Sequence, residues 1–249
     1  MWAAGLLISA AGMASAQNVT IDAPGADDTL MRLLQDASLS RSIGDETDPA
    51  PQDYVAAARA DYRRLLTALY AAGFYSGTIS IKVNGIEAAD IAPLAAPDRI
   101  DTIAINVVPG PLFAFGRADI APVAPGTALP DGFAPGKDAK ADVIRQAASA
   151  ARTTWRDQGY AKVTVSEQQI VARHTENLLD ATVTMAPGPQ LTFGPLTITG
   201  NKNVRTSAIS RIAGLPVGEI YSPDELTQAA RRLRETGAFD SVALTEADE

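Results

Sequence analysis

The sequence predicts an α+β fold built from tandem units of about 80 residues, each with the element order strand, helix, helix, strand, strand. Two observations predict this fold. Short landmarks recur at one fixed spacing along the chain, which is typical of a repeat protein. Between them, stretches of alternating apolar residues lie beside stretches with the helical period of about 3.6 residues. In each unit we expect two helices to cover one face of a three-stranded sheet.

Three short sequence motifs identify the repeat. Pro109-Gly110-Pro111 recurs as Pro187-Gly188-Pro189, Phe115-Gly116 recurs as Phe193-Gly194, and Gly159 recurs as Gly237, each time 78 residues later. An earlier copy ends its long helix at Gly73, which lies 86 residues before Gly159. The eight extra residues fall near residues 86–97, where we predict a long hairpin loop.

The third unit shows the element order most clearly. Residues 196–199 alternate as a strand, and residues 204–212 have the pattern of a short helix. Residues 222–225 form a capping box with proline at the first helical position, so a longer helix begins there. Gly237 ends that helix, because glycine adopts the left-handed conformation at least cost. Residues 239–244 then lead into a second strand.

The first two units repeat this order. In the first, the elements are a strand near residues 19–21, a short helix near 30–34, a long helix over 55–69, and hairpin strands at 79–83 and 103–107. In the second, a long helix over 144–155 precedes hairpin strands at 163–165 and 181–185, joined at residues 173–177. The first helix of the second unit is poorly marked, because residues 126–136 are rich in Pro and Gly.

Composition argues against several classes of function. The 21 Lys and Arg against 29 Asp and Glu give a net charge of −8, which disfavours nucleic acid as a partner. The absence of Cys excludes a disulfide scaffold and thiol catalysis. His174 is the sole histidine and is expected at an exposed hairpin tip, so the common zinc-ligand sets cannot be completed. We therefore predict no enzyme, no cofactor and no metal site.

Residues 1–16 have the pattern of a signal peptide. A short apolar run precedes Ala14-Ser15-Ala16, a small-residue cleavage signal. The run is shorter than the ~20 residues that span a bilayer. No Lys or Arg precedes it, so we expect the true start to lie upstream. Export from the cytoplasm follows from this interpretation.

A βααββ unit of this size, repeated in tandem behind an export signal, resembles the polypeptide-transport-associated (POTRA) domain. The resemblance covers residues 18–249, and its most specific parts are residues 196–201 and 226–244. Three units look most like the family of TamA, the outer-membrane subunit of the translocation and assembly module. Relatives of BamA typically carry five units, and two-partner secretion transporters carry two.

The resemblance implies mixed three-stranded sheets, with units at 17–109, 110–189 and 190–249, the third lacking its last strand. It implies the periplasmic face of a Gram-negative outer membrane, unfolded outer-membrane or autotransporter clients, and a TamB-like partner anchored in the inner membrane. Family members continue into an outer-membrane barrel. Nothing in this sequence has that pattern, so we expect a fragment. The alternatives are the arm of a two-partner secretion transporter and a barrel-less periplasmic adaptor.

The family also implies that the second strand of each unit lies at a sheet edge, where an extended client can add by β-augmentation. The alternative is that these strands are merely sheet edges, protected by lysine side chains. The candidate residues are Thr78, Ile79, Ser80, Ile81, Lys82 and Val83; Ala161, Lys162, Val163, Thr164 and Val165; and Ser241, Val242, Ala243, Leu244 and Thr245.

Overall fold

The computed structural model describes residues 18–43, 49–92 and 95–246 and confirms the α+β fold. The chain forms two compact units, which divide between Leu112 and Phe113. The predicted signal peptide at 1–16 lies outside the described residues. The finer division into repeats at 17–109, 110–189 and 190–249 stays a prediction. None of the described helices is both long enough and apolar enough to cross a membrane.

The first unit contains four strands and three helices in the described residues. They are β1 (Asn18–Asp22), α1 (Asp28–Ala37), α2 (Leu39–Ser42), α3 (Pro51–Ala72), β2 (Thr78–Val83), β3 (Ile86–Glu87) and β4 (Thr102–Val108). The sheet has the order β1-β4-β2-β3, with β4 parallel to β1 and antiparallel to β2. The last long strand therefore lies between the first two, and the sheet is mixed.

Alternation in β4 builds the core of this unit. Ile103, Ile105 and Val107 are fully buried and belong to one apolar cluster with Leu65 and Leu69 of α3. Burial of each such side chain contributes about 1.5–3 kcal/mol relative to exposure. The apolar face of the sheet is thus what holds α3 in place.

Asp61 of α3 is a fully buried carboxylate within this core. It accepts hydrogen bonds from the Ser38 hydroxyl (2.8 Å), the Leu39 amide (2.6 Å) and the Ser40 amide (3.0 Å). The two amides lie at the start of α2, where backbone donors have no partner within the helix. Asp61 therefore caps α2 from a neighbouring helix.

The second unit begins with a three-stranded mixed sheet. Its elements are β5 (Ala114–Ala121), α4 (Ala141–Asp157), β6 (Thr164–Arg173) and β7 (Leu178–Ala186). The order is β5-β7-β6, with β7 parallel to β5 and antiparallel to β6. The predicted hairpin and its tip at residues 173–177 are confirmed. Residues 122–140 form turns rather than a first helix, in keeping with their Pro and Gly content.

The repeated Phe-Gly landmark marks a buried aromatic ring in both copies. Phe115 is fully buried, and its ring centroid lies 5.6 Å from that of Phe133 in an edge-to-face arrangement. Phe193 is buried 5.6 Å from the ring of Tyr221. The sequence repeat therefore reflects a repeated packing position.

A hydrogen-bonded network links the end of α4 to the segment that follows β7. Arg156 donates to the Tyr221 hydroxyl (2.7 Å) and to Glu246 Oε1 (2.5 Å), and the hydroxyl donates to the same carboxylate oxygen (2.6 Å). Burial, followed by the hydrogen bond to Glu246, raises the pKa of Tyr221. The Leu191 amide also donates to the Gly159 carbonyl (2.8 Å). These contacts fix this part of the second unit to α4.

The two helices predicted for the third repeat are confirmed. They are α5 (Thr206–Ala213) and α6 (Pro223–Glu235). The Ser222 hydroxyl accepts a hydrogen bond from the Glu225 amide (3.4 Å), as the capping box predicts. Ile209 and Leu233 form the centre of a small apolar cluster between the helices.

The strands predicted at 196–199 and 239–244 do not form, and this prediction was wrong. Within the described residues, neither segment pairs with another strand. The reason lies in the order of the other two sheets, where the first and second strands never pair directly but flank the last one. With no such central strand among the described residues, the two segments border a groove of about 420 Å³ whose lining includes Ile209 and Leu233.

Candidate peptide-binding edges

Strand β6 is a long open edge. It pairs with β7 on one side, and no strand lies on its other side in the described part of the chain. Ile170 and Val171 are 38% and 45% exposed, so apolar side chains are accessible on both faces of the strand. An edge of this kind offers unpaired N–H and C=O groups at every second residue. It could therefore form a ladder with an extended peptide.

A bulge separates the regular part of this edge from its beginning. The pairing of β6 with β7 shifts in register between Val165 and Glu167, leaving Ser166 as the extra residue. The Ser166 hydroxyl donates to the Thr184 carbonyl (3.2 Å). Bulges twist an edge and interrupt pairing. The uninterrupted ladder available to a ligand is therefore residues 167–173.

The edge predicted at residues 161–165 overlaps β6 only at Thr164 and Val165. Ala161 and Val163 are buried in the turn that precedes the strand, and the Val163 amide donates to the Tyr160 carbonyl (3.2 Å). The apolar alternation that suggested a strand start reflects packing of this turn instead. The polar residues 167–169, which the predicted edge did not include, form part of the true edge.

The edge predicted at β2 coincides with the observed strand, but another segment covers it. A tight turn at Asn84 (φ 48°) and Gly85 (φ 84°) returns the chain as β3, which pairs with β2 at Val83 and Lys82. Both central residues have positive φ, which is the type I′ hairpin geometry that an Asn-Gly pair favours. The predicted long hairpin loop thus begins with a short strand that closes part of β2.

Glu87 extends this closure with its side chain. One carboxylate oxygen accepts the Ile81 amide (2.9 Å) and the Tyr62 hydroxyl, and the other accepts the Ser80 hydroxyl (2.8 Å). These bonds, that from Tyr62 first among them, lower the pKa of Glu87. Burial, and then the hydrogen bond to Glu87, raises the pKa of Tyr62 to about 12.

The pKa of Tyr62 gives a testable pH dependence. Because folding raises this pKa from its usual value of 10.0, the stabilisation it supplies is complete below pH 10. That stabilisation is lost as the pH rises from about 10 to about 12. Absorbance titration near 295 nm, taken as the difference between the wild type and Tyr62→Phe, should show Tyr62 still protonated at pH 11. A difference signal with its midpoint near pH 10 would contradict this.

Strand β5 also has a covered edge. The Phe115 amide donates to the Lys137 carbonyl (2.8 Å), and its carbonyl accepts the Gly136 amide (2.7 Å). A further bridge joins Ala114 to Asp138. In the sheet of the second unit, β6 is therefore the more accessible edge.

The edge predicted at residues 241–245 forms no ladder and borders the groove described above. No pairing partner lies beside it in the described residues, so it is not an edge of a sheet.

His174 lies in the exposed turn between β6 and β7, as predicted, with its ring edge-to-face against buried Phe113 at a centroid distance of 5.6 Å. This contact gives His174 a packing role.

Comparison with known proteins assigns this architecture. Residues 191–249 match the family described as surface antigen variable number repeat, or POTRA. No curated protein matches the sequence. The structure of POTRA domains 3–5 of Haemophilus influenzae BamA is similar, with a TM-score of 0.55 and 17% identity over 92% of this chain and 88% of that one.

Two cyanobacterial structures were also found. POTRA domains 1–3 of Anabaena Omp85 give a TM-score of 0.33 and 14% identity over 91% of this chain and 86% of that one. The N-terminal domain of Thermosynechococcus elongatus Omp85 gives 0.35 and 18% over 92% and 89%. By sequence, residues 191–249 are thus similar to the POTRA repeat, and the chain has the mixed α+β fold of the BamA POTRA domains.

Proposed function

We propose that this chain is a periplasmic polypeptide-binding arm of an Omp85-type outer-membrane assembly factor, and that it holds extended clients by adding them to β6. The observation that carries the proposal is the ten-residue strand β6, paired on one side only. The POTRA match at residues 191–249 and the likeness to the BamA POTRA domains support it. The role is binding rather than catalysis.

Main-chain pairing suits a client that is defined by conformation rather than by sequence. Each ladder hydrogen bond contributes about 0.5–1.5 kcal/mol net, so affinity grows with the length of the paired segment. Ile170 and Val171 add apolar contacts on the two faces of the strand. A client with alternating apolar residues, such as an unfolded strand of an outer-membrane protein, would match this surface.

Charge near the edge is locally balanced. Arg173, at the end of β6, forms ion pairs with Glu176 (2.7 Å) and Asp180 (3.1 Å). Its positive charge is therefore partly neutralised by its own hairpin. We expect a weak dependence of client binding on salt, because the ladder rather than the charges supplies most of the affinity.

The narrower assignment within this proposal is a TamA-like arm that serves autotransporters and meets a TamB-like partner anchored in the inner membrane. It rests on the three repeats in the sequence. An arm of a two-partner secretion transporter would carry two, and a free periplasmic adaptor would act without a membrane-embedded part. Co-purification with a partner anchored in the inner membrane would separate the first from the other two.

A pair of proline variants tests the role of β6. Neighbouring N–H groups in a strand point to opposite edges, so Gln168→Pro and Gln169→Pro remove one donor to β7 and one donor at the open edge. The variant that breaks the bond to β7 should lower the unfolding temperature. The variant that loses the donor at the open edge should leave the unfolding temperature unchanged and weaken binding of an extended probe peptide about tenfold or more.

The probe is a fluorescein-labelled nine-residue peptide of alternating valine and threonine, with lysine at each end, and the measurement is fluorescence anisotropy. The proline variant that loses the hydrogen bond to β7 is the matched control for the variant that loses the donor at the open edge. If the open-edge proline binds the peptide as tightly as the wild type, β6 is not the client edge.

A further inference from the structure

The main chain of β2 alternates between two directions. The Ile81 amide and carbonyl both point away from β4, toward Glu87 and Ala88. By the two-residue period of a strand, Ile79 and Val83 face the same outward side. Strand β2 therefore has three outward-facing residues with which a client could pair.

Residues 86–88 already occupy two of these three positions. Val83 pairs with Ile86 in the hairpin. The Ile81 carbonyl accepts the Ala88 amide (2.7 Å), and the Ile81 amide donates to the Glu87 carboxylate (2.9 Å). The side chain of Glu87 thus takes the place that a main-chain carbonyl of an added strand would fill. Of the three outward-facing residues of β2, only Ile79 is not paired with this segment.

The covering segment is anchored at its far end. Ala88 and Ile91 are buried in the core of the first unit. Arg59 of α3 donates to the Ile91 carbonyl (2.5 Å). Glu87 itself is only half-buried, and Ile86 is 54% exposed. The segment is therefore firmly held at Ala88 and Ile91, whereas Ile86 and Glu87, which pair with β2, are accessible to solvent.

Strand β6 has no such cover among the described residues, and the sequence explains why. The spacing from Gly159 to Pro187 is eight residues shorter than that from Gly73 to Pro109, and the extra residues of the first unit include this segment. The β6–β7 connection is a short turn at residues 174–177. One insertion therefore makes the difference between a covered β2 and an open β6.

We propose that residues 86–88 occupy the position of a client strand, with the Glu87 carboxylate as the latch that holds them there, and that β2 is a second peptide-binding edge which is exposed when β3 is displaced while Ala88 stays in the core. The expected ligand is an extended polypeptide that pairs antiparallel to β2 in the place of β3. This inference rests on the proposed function, since it assigns the same kind of ligand to a second edge.

Glu87→Ala tests the latch, with Asp90→Ala as the control. Asp90 is an exposed carboxylate of the same insertion and makes none of the hydrogen bonds to β2 described above. Without any peptide, amide exchange at Ile81 measured by NMR should become about tenfold faster or more in Glu87→Ala. Tyr62→Phe, which removes one donor to the carboxylate, should give a smaller acceleration. Asp90→Ala should leave this exchange rate unchanged.

Peptide stoichiometry tests the binding surface. Titration calorimetry with the valine–threonine peptide should show one more bound peptide per chain in Glu87→Ala than in the wild type. The same increase should appear when Glu87→Ala is combined with the proline at the open edge of β6. This test therefore does not depend on whether β6 binds the peptide. Faster exchange at Ile81 without an additional bound peptide would overturn the inference. Unchanged exchange at Ile81 would overturn the role of Glu87 as the latch.

Discussion

Replacing Asp61 with alanine is expected to lower the free energy of unfolding of the first unit by about 3 kcal/mol or more. The change leaves two backbone amides and the Ser38 hydroxyl in the core without their acceptor. A buried donor that loses its partner costs about 1–3 kcal/mol. Loss of the cap should also unravel α2, whose first turn depends on it. Urea unfolding followed by circular dichroism measures the change.

Asp53→Ala is the matched control on the same helix. Its carboxylate is exposed and accepts one hydrogen bond, from the Ala50 amide (2.9 Å), so we expect a loss of about 0.5–1 kcal/mol. Asp61→Asn keeps the shape of the side chain but replaces one accepting oxygen with an NH2 group. Its loss in free energy of unfolding should lie between those of Asp53→Ala and Asp61→Ala. If Asp53→Ala and Asp61→Ala lowered the free energy of unfolding equally, neither the burial of Asp61 nor its three hydrogen bonds would contribute to stability.

Replacing Phe115 with alanine is expected to cost the second unit about 3–5 kcal/mol. The ring is fully buried, so its loss leaves a cavity beside Phe133 that β5 cannot close. Because β5 pairs with the central strand β7, the loss should destabilise the whole sheet. Thermal unfolding monitored by calorimetry gives the measurement.

Phe133→Ala supplies the comparison for this site. Phe133 is also buried but lies in the turns after β5 rather than in a strand, so its removal should cost less. The double variant should cost less than the sum of the two single changes, because the two rings pack against each other. Strict additivity would contradict a shared packing site.

Sequence reasoning succeeded where hydrophobic periodicity and helix caps agree. The stripe of α3, the alternation of β4 and the capping box at Ser222 each predicted the element that forms. Local chemistry determines these features. The βααββ order predicted mixed sheets, and two mixed sheets form, but the first has the additional strand β3 and residues 122–140 of the second unit form no helix.

The errors arose where pairing partners, rather than local pattern, decide the structure. Residues 196–199 alternate well, yet form no strand because the sheet order puts a third strand between them and residues 241–245. A strand needs a neighbour, and the alternation of one segment does not supply it. This is why two predicted strands appear as the walls of a groove.

The candidate site was predicted only in part for a related reason. Of the three segments expected at sheet edges, β6 lies at one, β2 is partly covered by β3, and residues 241–245 form no strand. Whether an edge is open depends on what folds over it. Asn84-Gly85 is a strong hairpin signal and could have revealed β3. The role of Glu87 could not have been found this way, because its partners Tyr62 and Ser80 come from distant positions in the sequence.

Hydrogen exchange of the wild-type chain with and without the valine–threonine peptide shows directly whether β6 binds an extended client. We expect new protection at alternate amides of residues 167–173, because every second amide of β6 faces the open edge. The intervening amides, already bonded to β7, should not change, and neither should the amide of Ile81. Protection confined to β2, or no protection along β6 at a saturating peptide concentration, would show that β6 does not bind the client.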